Sequence, residues 1–273
     1  MVTLEVGPTL SDRDMARIAR LVYDASGITL HDGKKSLVVA RLQKRLRALG
    51  LTSYSDYLKY LERDATGAEL EALLDAIATN HTLFFREEQH FRILEDVARR
   101  RAGSAPLAVW SAACSSGEEP YTIAMTLERM APPCPFTLLA SDISTKALTA
   151  AKRGVYKMSA VEAIPQDVLR QFFEKGLGAQ SGFARIAPAL QRLVEFRHLN
   201  LLEVGDLQSR FEVIFCRNVM IYFDLAVQQR VVDMLVRHLR PGGYLFISHS
   251  ESLNGVTHPL KWVAPAVYQR GHA

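Results

Sequence analysis

The feature that most constrains this chain begins near Ala105, where short apolar runs start to alternate with amphipathic stretches. Pro106-Leu-Ala-Val-Trp-Ser-Ala-Ala113 has the length of a buried strand, and Glu118–Met130 after it has the spacing of a helix. Phe136-Thr-Leu-Leu-Ala-Ser141 repeats the strand pattern and ends at Asp142, and Ser144–Lys152 repeats the helix. Phe211-Glu-Val-Ile-Phe-Cys216, a helix over Leu225–Leu239, the turn Pro241-Gly-Gly243 and a strand over Tyr244–Ser248 carry the alternation on. Strands joined through helices run parallel, and strands that read apolar throughout bury both faces. The pattern therefore predicts an α/β domain with a mostly parallel sheet between two layers of helices. Between Gly154 and Leu199 the alternation breaks. A short helix over Gln166–Glu174, a glycine turn at Gly176-Leu-Gly178 and strand-like pieces near Phe183–Ile186 and Leu193–Leu199 predict a small β-subdomain inserted at about residues 172–198.

The residues before this domain read differently. Ser11-x-x-Asp14 is a capping-box signature, followed at helical spacing by Met15, Ile18, Ala19 and Val22. A second helix is expected from Ser36 to Leu49, with Val38, Leu42, Leu46 and Leu49 as its apolar stripe and Gly50 as its stop. Ser53-x-x-Asp56 opens a third helix and Ala68–Ala78 supplies a fourth. The expected organisation is a helical domain over residues 1–90 and the α/β domain over 91–273. Six basic residues (Lys34, Lys35, Arg41, Lys44, Arg45, Arg47) face one acid, Asp32, between His31 and Gly50, although net charge is only +4. Lys34, Arg41, Lys44 and Arg45 share one helix face, away from the apolar stripe, and predict contact with an acidic partner.

Composition excludes several classes. No apolar run approaches the roughly 18–20 residues that cross a bilayer, and Met1–Pro8 lacks a basic flank and apolar core. The chain is expected to be cytoplasmic and not inserted in a membrane. Cys114, Cys134 and Cys216 are odd in number and lack CxxC spacing, so neither a disulfide framework nor a metal site is expected.

In a sheet of this kind ligands sit beyond the carboxyl ends of the strands. Ser111-Ala-Ala-Cys-Ser-Ser-Gly-Glu-Glu-Pro120 follows the first strand with small residues that let a ligand approach the backbone, and then with two acids. Those acids disfavour a phosphate and suit a cation. Asp142 at the second strand end can accept hydrogen bonds from ribose hydroxyls, and Arg217-Asn218 closes a later strand. A ligand with a ribose, no phosphate and an ammonium group fits, and S-adenosylmethionine is such a ligand.

Five segments sharpen this reading. They are Ala78-Thr-Asn-His-Thr-Leu-Phe-Phe-Arg-Glu87, Trp110-Ser-Ala-Ala-Cys-Ser-Ser-Gly-Glu-Glu-Pro-Tyr-Thr-Ile-Ala124, Ala140-Ser-Asp-Ile-Ser-Thr-Lys-Ala-Leu148, Phe215-Cys-Arg-Asn-Val-Met-Ile-Tyr-Phe-Asp224 and Ser248-His-Ser-Glu-Ser252. In this order they resemble the chemoreceptor glutamate O-methyltransferase (CheR) family over nearly the whole chain. The resemblance implies a Rossmann-like S-adenosylmethionine-dependent methyltransferase domain, preceded by a helical domain and interrupted by a small β-subdomain. It implies methyl transfer to glutamate side chains on the cytoplasmic helices of methyl-accepting chemoreceptors, leaving S-adenosylhomocysteine, with no metal. By resemblance, Asn80, Thr82 and Arg86 reach the cofactor from the interdomain segment. Glu119 binds it, with Glu118 the alternative. Asp142 holds the ribose, Asn200-Leu201 and Arg217-Asn218 line the adenine and methionine ends, and Arg86 and Tyr222 lie nearest the transferred methyl. Some family members also bind a receptor C-terminal pentapeptide through the inserted subdomain. The glycine-containing loop here is similar to theirs, and Arg185 is expected to meet an acidic residue of that peptide.

Two other functions compete. A nucleic-acid methyltransferase could use the basic helix on phosphates. Enzymes that methylate base amines commonly carry an Asn/Asp-Pro-Pro-aromatic motif, whereas this chain has Cys216-Arg-Asn-Val219 at the equivalent strand end. A non-catalytic sensor or adaptor would be expected to lose some cofactor residues, and all are present.

Overall fold

The computed structural model describes residues 8–101, 105–205, 207 and 209–272, apart from the Asp32 side chain. Residues 1–7, on which the absence of a leader was read, lie outside the described residues. The chain divides into two compact units, one of residues 1–79 with Tyr222–Asp224, the other of Asn80–Ile221 with Leu225–Ala273. The division therefore falls at Thr79/Asn80 rather than at residue 90. Asn80–Glu88 folds with the α/β part because its Phe84 and Phe85 pack on that part's core.

The first unit is built from α1 (Asp12–Ser26), α2 (Lys35–Ala48), α3 (Tyr54–Arg63) and α4 (Ala68–Ile77). Ser11 caps α1, its hydroxyl accepting the Asp14 N–H at 3.1 Å, and Ser53 does the same for α3. Val38, Leu42 and Leu46 of α2 are buried, as the stripe predicts, whereas Leu49 is half-buried just past the helix end. Phe223 bridges to Ile28 and the Tyr222 carbonyl accepts the Thr29 N–H, which ties the distant segment Tyr222–Asp224 into this unit.

The second unit opens with α5 (Gln89–Arg99), β1 (Leu107–Ser111), α6 (Glu118–Glu128), β2 (Phe136–Asp142) and α7 (Thr145–Arg153). Then come β3 (Val155–Lys157), α8 (Met158–Val161), α9 (Gln166–Phe172), β4 (Phe173–Lys175), β5 (Phe183–Ile186) and α10 (Pro188–Gln191). It closes with β6 (Val194–His198), β7 (Phe211–Phe215), α11 (Leu225–His238), β8 (Leu239–Phe246), β9 (Leu260–Ala264) and β10 (Val267–Arg270). The main sheet runs β6-β2-β1-β7-β8-β10-β9. Its strands are parallel from β6 to β8, and β10 is antiparallel to both neighbours. Strand order proceeds in opposite directions from β1 to β2 and from β1 to β7, so the switch point lies at β1. All of β7 and nearly all of β1 are buried, as two-sided strands must be.

Three details depart from the sequence reading. The inserted sheet is β3-β5-β4, starting directly after α7, and the expected helix Gln166–Glu174 gives way to strand at Phe173. The piece at Leu193–Leu199 is not part of it. Val194–His198 joins the main sheet as an edge strand parallel to β2. A half-exposed edge strand reads like a surface hairpin strand in sequence, because only one of its faces is buried. The expected turn Pro241-Gly-Gly243 lies inside β8 as an irregularity in its pairing with β7, with Gly242 at φ +76°.

Candidate functional site

Parallel strands bring their carboxyl ends to one edge, and the expected residues of the second unit gather there. Ser111 ends β1, Asp142 ends β2, Asn200 and Leu201 follow β6, and Arg217 and Asn218 follow β7. The loop after β1 is fixed by the Cys114 N–H donating to the Ser141 carbonyl at 2.9 Å and the Ser115 N–H donating to Asp142 Oδ2 at 2.8 Å. Asp142 Oδ1 also accepts the Ser144 N–H at 2.9 Å, so the carboxylate is oriented from two sides. Gly117 caps α6 at φ +99°, and a Cβ there would stand 2.9 Å from both Ala151 Cβ and the Tyr156 hydroxyl. Only glycine fits this left-handed, crowded position.

Behind the loop lies a buried charge network. Arg217 Nη1 donates to Glu119 Oε2 at 2.9 Å, and Ser111 Oγ donates to Glu119 Oε1 at 2.7 Å. Arg217 Nη2 donates to the Arg86 carbonyl at 2.6 Å and pairs with Glu87 Oε2 at 3.1 Å. Burial works to raise the Glu87 pKa, but the Ser248 hydroxyl and the Arg217 guanidinium prevail and hold it below the usual range. Glu118, the alternative to Glu119, is also buried and accepts from the Ser116 hydroxyl at 2.7 Å. Burial pushes its pKa up. The two glutamates thus divide, Glu119 locked to Arg217 and Glu118 turned to the loop.

A second carboxylate organises the next loop. Glu251 accepts four backbone N–H groups, from Asn218, Val219, Met220 and Ser248, at 2.7–3.0 Å. Its pKa is raised by burial despite these bonds. Asn218 Nδ2 donates to Ser248 Oγ at 2.7 Å. Phe85, Glu87, Ser115 and Asn218 all adopt positive φ, between +48° and +58°, although none is glycine. Such strain collects where surrounding bonds over-determine the backbone, as they do here.

The remaining expected residues are placed as follows. Asn80 Nδ2 lies 3.3 Å from Ser144 Oγ, linking the segment before α5 to the cap of α7. Thr82 and Arg86 are half-buried. Arg86 forms no ion pair among the described residues, since Glu87 takes Arg217 and Glu88 takes Arg92. Its Nη1 donates to the His81 carbonyl at 3.4 Å. Asn200 Oδ1 accepts the Leu202 N–H at 3.1 Å and Leu201 is buried. Tyr222 and the four basic residues belong to the first unit.

That unit changes the reading of the basic face. Arg41 Nη1 donates to the Ile77 and Ala78 carbonyls at 2.6 Å each, and Nη2 to Thr79 Oγ1 at 3.0 Å, so it closes the end of α4. Arg45 pairs with Glu69, whose side chain is buried. A shared helix face did not reveal that two of its arginines reach a neighbouring helix. Lys34 and Lys44 are exposed and form no ion pair among the described residues. Arg185 of β5 pairs with Glu174 of β4, and β5 is the middle strand of its sheet, so an added strand would meet β3 or β4.

Glu87, His90 and His249 offer ligand atoms within 4.8 Å of one another. Arg217 already stands on Glu87 Oε2 as the resident cation, which disfavours a metal ion beside it. By contrast Ser115 Oγ and Arg217 Nε, both buried at the strand ends, find no hydrogen-bond partner among the described residues. Buried polar atoms rarely stay unpaired, so these fit a polar organic ligand. Sequence reasoning assigned no role to Glu87, Ser111, Ser248 or Glu251. Their motifs were visible, but bonds between loops distant in sequence were not.

Residues 80–268 match the family model described as the CheR methyltransferase S-adenosylmethionine-binding domain, and residues 13–78 match the CheR methyltransferase all-alpha domain. The chain is 42% identical over 262 residues to a chemotaxis protein methyltransferase of Salmonella typhimurium, covering 95% of this chain and 90% of that one. It is 41% identical over 259 residues to chemotaxis protein methyltransferase 2 of Pseudomonas aeruginosa, covering 93% and 92%. The Escherichia coli chemotaxis protein methyltransferase is 43% identical over 248 residues, covering 90% and 86%.

Proposed function

The chain belongs to the CheR methyltransferase family, and from that premise we propose that it esterifies glutamate side chains on the cytoplasmic helices of chemoreceptors. The observation that carries the site is the meeting of Asp142, the Ser115 loop and the Glu119–Arg217 pair at the carboxyl ends of β1, β2 and β7. In this reading Asp142 accepts from the cofactor ribose, and Asn200-Leu201 border its adenine. Asn80, Thr82, Arg217 and Asn218 line the methionine end, with Glu119 setting the position of Arg217. S-adenosylmethionine, when bound, supplies a methyl group on a positively charged sulfur. The acceptor glutamate is ionised near neutral pH, so no side chain has to remove its proton. What the protein contributes is orientation in a site closed to water. Arg86, which pairs with no acid among the described residues, suits the approaching carboxylate, and Tyr222 is the second candidate that the family resemblance names. Docking of a receptor tail on the small sheet belongs to the same proposal, with the added strand on β3 or β4 and an acidic tail residue displacing Glu174 from Arg185.

No helix among the described residues is long and apolar enough to cross a membrane. The test is methyl-labelled S-adenosylmethionine mixed with a chemoreceptor cytoplasmic domain. Transfer to glutamate gives label that alkali releases as methanol and that disappears when the acceptor glutamates are replaced by alanine. Alkali-stable label, as on an amine, or transfer to DNA instead of receptor, overturns the proposal.

A further inference from the structure

One side chain joins the inserted subdomain to the loop after β1, and neither motif nor spacing singled it out. Tyr156 lies in the middle of β3, paired with Ala184 of β5. It is buried, and its hydroxyl donates to the Ser116 carbonyl at 2.7 Å. The same oxygen sits where a side chain on Gly117 would be. Its ring meets Phe84 edge-on at 4.9 Å, and Phe84 in turn meets Phe173 of β4 at 5.5 Å. Tyr156 therefore ties β3 to the loop that carries Ser115 and Ser116, and Phe84 links it in turn to β4 and the segment before α5.

We infer that Tyr156 is a positioning residue for S-adenosylmethionine, holding the Ser115–Gly117 loop so that the inserted subdomain forms the outer wall of the cofactor site. This rests on the site reading proposed above. Ser115 is held at φ +48° by the Asp142 bond before it and, through Ser116, by the Tyr156 bond after it. Without the second anchor the carbonyl of Ser116 loses its partner and the loop regains freedom that the ligand must remove on binding. Coupling is reciprocal, so ligand held by the loop also steadies the small sheet.

Tyr156→Phe keeps the ring contacts and deletes only the hydroxyl. S-adenosylhomocysteine affinity, measured by calorimetry, is expected to fall about 5-fold, with the thermal midpoint lowered by only about 2 °C. Tyr121→Phe is the control. Tyr121 is also buried, and its hydroxyl donates at 2.8 Å to the Ala151 carbonyl instead of to the loop. Its loss is expected to leave ligand affinity unchanged. Hydrogen exchange gives a second readout. Adding S-adenosylhomocysteine to the wild type should slow exchange of the amides in β3 and β5, and this protection should be absent in Tyr156→Phe. Asp142→Asn runs alongside to separate the two ideas. If Asp142→Asn leaves affinity intact, the site reading itself fails. If it weakens binding at least 10-fold while Tyr156→Phe binds as wild type and keeps the protection, only the role of Tyr156 is overturned.

Discussion

Each unit contains an arginine locked to a buried carboxylate, and the two pairs do different things. Arg45 on α2 reaches Glu69 on α4, a strut between two helices, with a third of the arginine side chain, 33%, still open to water. Arg217 is 2% exposed and shares itself among Glu119 from α6, Glu87 from the segment before α5 and the Arg86 carbonyl. The first pair fixes one helix against another. The second assembles three stretches of chain at the strand ends, among backbone held at positive φ. A charge pair near the surface stabilises its own neighbourhood, whereas a buried hub sets the geometry of whatever binds beside it.

Removing each arginine in turn should show the difference most strongly. Arg217→Met leaves the buried Glu119 and the half-buried Glu87 without their cation, and should cost about 3–5 kcal/mol of unfolding free energy in urea. It should also abolish S-adenosylhomocysteine binding. Arg45→Met leaves one carboxylate, that of Glu69, buried without its cation, at a pair whose arginine is 33% open to water, and should cost about 2 kcal/mol, with ligand affinity unchanged. Equal losses for both would mean that the hub is no more than a second strut.

Acid should separate the units as well. His90 is buried beside Glu87, Arg217 and His249. Burial, then the Arg217 charge, bring its pKa from 6.5 down to about 4, against the pull of Glu87. The native state therefore refuses a proton that the unfolded chain accepts, so stability falls as pH drops from 6.5 toward 4. By pH 4 this amounts to about 3 kcal/mol at most. The described part of the first unit holds only an exposed histidine, His31. Urea midpoints measured from pH 7 to pH 4 should flatten in His90→Gln relative to wild type. Parallel curves would sink the assignment.

Legibility in the sequence followed how local the cause was. Strand and helix alternation, the Ser11 and Ser53 caps and the stripe Val38–Leu42–Leu46 depend on neighbours a few residues away, and they appear as expected. The placement of Asp142 and Arg217 at one edge of the sheet was legible because parallel topology sends every strand end there. Val194–His198 was assigned to the wrong sheet, since one buried face looks alike at the edge of a large sheet and in a small one. Glu251 and Tyr156 went unassigned because their partners lie on other loops. Arg41 and Arg45 looked like surface cations, and only the position of α4 shows what they hold.

Arg41 and Arg45 bear in turn on how the first unit meets a receptor. If Arg41 and Arg45 are structural, the contact of this helix face with an acidic receptor helix falls to its exposed lysines, Lys34 and Lys44. Charges at an exposed rim act mainly on association and are screened by salt. Lys34→Glu with Lys44→Glu should raise the receptor KM about 5-fold at low salt. The effect should fade toward wild type at 0.5 M salt, with kcat, S-adenosylhomocysteine affinity and thermal midpoint unchanged. Arg41→Glu should behave oppositely. It strips the α4 end of the donors to Ile77 and Ala78, and so lowers the thermal midpoint at every salt concentration. A lysine pair whose reversal leaves the receptor KM unchanged at low salt would assign that face to solvation alone. An Arg41→Glu variant as stable as wild type would return Arg41 to the receptor surface.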